Sequence, residues 1–302
     1  MIQPNSIFLK QIIFCFSVVI ISTILLISNN TKENSLIYYI VMMLCYMPCP
    51  LYSVILFDKQ YFKTCINSIK STNFKKLFKH TLISIAVFWT LISFNYLFFY
   101  LGSSFVPKSI IGVVSFNNKD ILENLINLLP KTVNLPLANF SNKNGFPLFF
   151  SIVIFSTIIG IIFNSLFAFT EEVGWRGSIT NNLFINNKFL KNIVIGSIWG
   201  LWHAPLIIAF GYNYPNLTPV SGIVMMICFC ILLHTLFIEI NCSSILPSTF
   251  LHGCINASPA IYLLFHSNNS DFFSLICGLI PFFSIITIIL IIKAIKCVIK
   301  LQ

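Results

Sequence analysis

The chain has 302 residues, 57% of them hydrophobic and only 9% charged, with a mean hydropathy of +0.90. A soluble domain of this length cannot bury that much apolar surface, whereas a bilayer-facing one need not. The formal net charge of +10 comes from Lys residues set between apolar runs, which read as topology signals and contacts with anionic membrane lipid, not as a nucleic-acid surface.

Seven or eight apolar runs are long enough to cross about 30 Å of hydrocarbon. They fall at about 7–28, 36–57, 81–106, 147–172, 190–210, 219–240, 244–266 and 271–293. None alternates as a barrel strand does, so the expected fold class is all-α, a polytopic transmembrane helical bundle of about eight spans. No small-residue cleavage pattern follows the first run, which is therefore expected to be a retained helix. The ten Cys residues lie mostly within the runs. Their closest pairs, Cys45/Cys49 and Cys228/Cys230, have no matching second pair at metal-knuckle spacing, so buried, reduced thiols are expected.

The densest basic stretch holds Lys59, Lys63, Lys70, Lys75, Lys76 and Lys79. Placing it in the cytoplasm puts both termini there. Within it Phe62, Ile66, Ile69 and Phe78 are spaced as on an interfacial helix, with a solvated linker as the alternative. The segment 107–146 then falls outside, with a short amphipathic helix around 119–129. Three parts follow: residues 1–140, N-terminal spans with a basic cytoplasmic loop and an extracytoplasmic segment; 141–266, the core that carries the polar motifs; and 267–302, a final span and basic tail. Heavy use of Lys, Asn and Ile beside a single Arg suggests a low-GC bacterium, and hence its cytoplasmic membrane.

Ionisable groups inside a span are costly and usually face a cavity or a partner. Glu171 and Glu172 close the fourth run in FTEEVGWRGS. Of the 18 Lys and Arg residues, Arg176 is the only Arg. Glu172 and Arg176 share a helix face at i, i+4 and are expected to pair bidentately, while Glu171, rotated by about 100°, stays free. The fifth run carries His203 in IWGLWHAPL, with Trp199 on the same face to wall the imidazole. Pro205 removes a backbone hydrogen bond and is expected to bend the helix there. The seventh run carries His252 and Asn256 in TFLHGCINA, also at i, i+4. His234, with Glu239 five residues on, reads as structural, and His80 and His266 as interfacial.

Singly, each pattern is equally that of a helix cap or of interhelical hydrogen bonding. Together, EExxxR, WxxxH and HxxxN in that order on three spans resemble the CAAX prenyl protease and bacteriocin-processing family of intramembrane endopeptidases, also called the Abi or type II CAAX protease family. The resemblance covers roughly residues 147–265. Trp199 stands where Phe is also common in the family.

The resemblance implies hydrolysis of a peptide bond in a membrane-associated peptide or protein. Glu171 near His203 would activate water, His252 and Asn256 would donate to the oxyanion, and Glu172, Arg176 and Trp199 would support them. Glu171, His203 and His252 also make a His2Glu set, the shell of a catalytic zinc. The metal-free arrangement, with no cofactor, is preferred, and a divalent metal such as zinc is the alternative.

The run boundaries leave a conflict, since Glu171 lies at the cytoplasmic end of its run while His203 is about 18 Å along the next helix from Lys191. Two readings compete with an enzyme. A non-catalytic bacteriocin immunity or binding protein would keep the fold without the chemistry. A transporter is disfavoured, because no repeated halves are visible and the polar residues cluster in the second half.

Overall fold

The computed structural model describes residues 3–31, 35–128, 145–241, 244–267 and 270–301. The apolar runs fold as helices because hydrocarbon offers backbone N–H and C=O groups no water, so each segment must satisfy its own. In chain order the helices are α1 (Ser6–Ser28), α2 (Leu36–Phe57), α3 (Lys59–Lys70), α4 (Phe74–Gly102), α5 (Asn118–Leu128), α6 (Phe146–Asn181), α7 (Lys188–Phe210), α8 (Pro219–Ile240), α9 (Leu246–Ala257), α10 (Pro259–Phe265) and α11 (Leu279–Leu301). Among the described residues seven of these, α1, α2, α4, α6, α7, α8 and α11, are long and apolar enough to cross a membrane. The chain is an all-α polytopic membrane protein. Side chains of Asn5, Ser35, Asp58, Asn73, Asn187 and Thr218 each accept a first-turn N–H, which fixes where the spans begin.

The caps move several expected boundaries. The third span begins at Phe74, not at residue 81, because Asn73 caps Lys76 at 2.9 Å. Lys75, Lys76 and Lys79 therefore stand on its first turns. The last span runs from Leu279, not from 271, because Asp271 is committed to another loop, accepting Asn216 N at 2.6 Å and Nδ2 at 3.3 Å. The run at 244–266 is split into α9 and α10 at Ser258, where Pro259 cannot continue the hydrogen-bond ladder. The helices expected within 59–80 and around 119–129 are α3 and α5.

Two pairs of glycines set close helix contacts. A Cβ on Gly196 or Gly200 of α7 would lie 2.5 Å from Cα of Ile231 or Ile227 of α8. Only glycines one turn apart let the two backbones approach that closely. A Cβ on Gly160 would lie 2.5 Å from Cys254 Cα, and one on Gly253 would lie 2.3 Å from the Gly160 carbonyl oxygen. This seats α9 deep against α6, with α4 on another side.

Among the described residues three stretches are wound as π-helix: Met42–Tyr46 in α2, and Gly160–Asn164 and Val173–Ser178 in α6. Such turns recur at functional sites because the extra residue per turn re-aims side chains. Here the first two contribute residues to one cavity, and the third directly follows the two glutamates.

Candidate active site

The fourth span does not end at Glu172 as its hydropathy suggested. It continues to Asn181, because the polar residues that break the apolar run are buried and paired inside the bundle. Glu171 stands ten residues before the end of α6, across the π-helical stretch and a kink at Gly177 (φ −94°, ψ −107°). Trp199 stands eleven residues into α7, about 17 Å from its start. The two are brought level, since the Trp199 indole Nε1–H donates to Glu171 Oε2 at 3.1 Å. The expected separation of Glu171 from His203 is thereby removed.

The helix α7 breaks at His203, as Pro205 required. There the His203 backbone N–H turns to the Gly200 carbonyl at 3.1 Å instead of following the i−4 pattern. The Trp199 carbonyl is taken by the imidazole, with Nδ1 at 2.9 Å. A carbonyl can only accept, so Nδ1 carries the proton, and in the neutral ring Nε2 keeps a lone pair. Rings pack around this imidazole: Trp202 edge-on at 4.9 Å and Tyr212 parallel at 6.1 Å.

His252 of α9 is buried at 5% exposure, with Nδ1 2.8 Å from Glu172 Oε1. Arg176 approaches the same oxygen, its Nη1 at 3.2 Å but off the line of a hydrogen bond. The expected bidentate pairing of Glu172 with Arg176 is thus replaced by a single ion contact to Oε1, an oxygen shared with His252 from another helix. The guanidinium lies instead over the Trp199 ring at 3.8 Å and the Phe237 ring at 4.6 Å, a cation–π arrangement suited to a weakly hydrated cation.

Glu171, His203, His252 and Asn256 all line one cavity of about 380 Å³. Glu171 and His203 are buried, and Asn256 is exposed at its edge. Glu172 and Arg176 lie behind the wall, and Trp199 forms part of it. The remaining lining is largely aromatic and thioether, including Tyr46, Met42, Met47 and Phe229. Among the described residues no three His, Cys, Asp or Glu side chains are grouped to hold a metal ion.

The polar lining residues that were not singled out in the sequence include Asn164, Tyr46 and Asn213. Asn164 carried a usable signal, a carboxamide inside an apolar run seven residues before Glu171, which is two helical turns and so one face. The other histidines lie elsewhere. His234 is fully buried in α8 and lines no described cavity. Glu239 pairs not with it but with Lys188 at 2.9 Å and Lys296 at 2.7 Å. His266 bonds the Ile111 carbonyl at 3.0 Å.

Residues 153–258 match the family model for the type II CAAX prenyl endopeptidase Rce1-like proteins. That stretch of the chain is similar to the family. The match covers the stretch holding EExxxR, WxxxH and HxxxN, and the resemblance read from those motifs is borne out. No curated protein and no solved structure gives a significant match. The type II CAAX family is one of membrane endopeptidases, and the seven apolar helices agree with such a setting.

Proposed function

We propose that the chain is a metal-free intramembrane endopeptidase that hydrolyses a peptide bond of a membrane-associated peptide or protein, with its active site in the 380 Å³ cavity. The observation that carries this reading is the convergence of Glu171, His203, His252 and Asn256, from three helices, on one cavity wall. Polar groups in a bilayer are expensive, and four facing one apolar-lined space are arranged for chemistry on an enclosed substrate.

The hydrogen bonds support the following roles. Trp199 holds one oxygen of Glu171, leaving Oε1 to the cavity. Water held between that oxygen and Nε2 of His203 gives a proton to Glu171 as its oxygen attacks the scissile carbonyl carbon. The carbonyl oxygen becomes an oxyanion, met by Nε2–H of His252 and the Asn256 amide. For His252 to donate there while Nδ1–H faces Glu172, both ring nitrogens must be protonated, so His252 and Glu172 act as an imidazolium–carboxylate pair. Glu171 then returns its proton to the leaving nitrogen as the C–N bond breaks.

A bacterial cytoplasmic membrane with both ends of the chain inside is part of this reading, supported by the Lys-rich stretch 59–79 and by Lys293, Lys296 and Lys300 of the tail. The deciding experiment is cleavage of membrane peptides by Glu171→Gln in proteoliposomes. A fall of roughly 100- to 10,000-fold with the fold retained is expected of a lost general base. Full biological activity in that variant would mean that the protein is not a protease, and that it acts as an immunity or binding protein.

A further inference from the structure

We infer that Tyr46, from the second span and outside the matched stretch 153–258, is a positioning residue that holds open the helix break on which the His203 tautomer depends. The break frees carbonyls that an unbroken helix would use. Pro205 offers no N–H to Leu201. The Leu206 N–H goes to the His203 carbonyl at 3.1 Å, and the His203 N–H goes to Gly200. The carbonyls of Trp199 and Trp202 thus lose their i+4 donors, and two side chains replace them. The His203 imidazole takes Trp199, and the Tyr46 hydroxyl donates to Trp202 at 2.9 Å.

Tyr46 is 2% exposed, and its ring lies 4.2 Å from that of Trp202 and 6.3 Å from the imidazole. A buried carbonyl without a donor is costly. If the hydroxyl is removed, the cheapest repair is for Leu206 N–H to return to Trp202 and His203 N–H to return to Trp199. That repair displaces the imidazole Nδ1 from its acceptor. The ring is then free to rotate or change tautomer, and Nε2 no longer has a fixed lone pair toward the cavity. The π-helical winding of Met42–Tyr46 is what aims this tyrosine across at α7. The second span is on this account part of the site, not only its framework.

The test is Tyr46→Phe in full-length protein in nanodiscs, read in two ways. The first is the nitrogen-15 spectrum of His203, assigned by its loss in His203→Asn. Wild type should show a single Nδ1–H tautomer, and Tyr46→Phe a mixture. The second rests on the endopeptidase reading: kcat should fall by roughly three- to tenfold, the size of one ordinary hydrogen bond, with KM held within about twofold. Pro205→Ala, which restores an N–H to Leu201 and lets the helix close, should shift the same spectrum if Tyr46→Phe does not fold. An unchanged His203 spectrum in the variant overturns the proposal, whatever happens to kcat. A shifted spectrum in a protein with no peptidase activity upholds it and counts against the endopeptidase reading alone.

Discussion

Glu172 gives one carboxylate oxygen to two partners from different directions, His252 Nδ1 at 2.8 Å and Arg176 Nη1 at 3.2 Å. The second glutamate of the EExxxR stretch is therefore the group that orients His252. Breaking such a buried set by removing one member leaves the other charges uncompensated. Glu172→Gln should lower kcat by at least tenfold, because an amide cannot balance an imidazolium, and it should lower Tm as well. Peptide cleavage measured beside thermal unfolding in detergent separates the two effects. Retention of full kcat would remove His252 from the oxyanion role.

Trp199 is the only described donor to Glu171, and its ring also supports the Arg176 guanidinium at 3.8 Å. Trp199→Phe keeps an aromatic face for the cation and deletes the N–H. It should leave the folded yield near wild type while lowering kcat by roughly 10- to 150-fold, the worth of one hydrogen bond to a charged group. An equal loss in Trp199→Phe and Trp199→Ala would show instead that packing under Arg176 is what matters.

Much of this site is legible in the sequence, and the limits have physical causes. Glu171, His203, His252 and Asn256 stand out because ionisable and amide groups are rare in hydrocarbon. Pro205 announces the break at His203. The partner of Glu172 could not be read correctly, because i, i+4 geometry sees only one helix, and His252 arrives from α9. The end of α6 was misplaced for a related reason: hydropathy falls at EEVGWRGS although those residues are buried. Tyr46 carried no signal, since a tyrosine in an apolar run looks like lining until its hydroxyl is seen on the Trp202 carbonyl.

Metal dependence gives a direct check on the mechanism. With no described trio of His, Cys, Asp or Glu grouped for a metal, chelator treatment of purified protein should leave cleavage unchanged, and added zinc should not raise it. Loss of activity on chelation with recovery on zinc would require His203 and His252 to move together and would replace the water-based scheme.

The glycines of α7 predict a stability effect separate from catalysis. A Cβ at residue 200 would sit 2.5 Å from Ile227 Cα, 3.0 Å from its N and 3.1 Å from its Cγ1. The first two of these atoms are backbone, so no side-chain rotation relieves the clash and α7 must move away from α8. Gly200→Ala should therefore cost about 1–3 kcal/mol or more, the range for overpacked cores, seen as a lower Tm in detergent. Gly200 is three residues before His203, on the helix that carries Trp199, so any movement of α7 also lengthens the Trp199–Glu171 bond. Cleavage by the folded fraction should then fall along with Tm, whereas Gly222→Ala, whose Cβ would meet only side-chain atoms at 3.0 Å and beyond, should change both much less. If Gly200→Ala matches wild type in Tm, the close α7–α8 packing is not present in the membrane protein as purified.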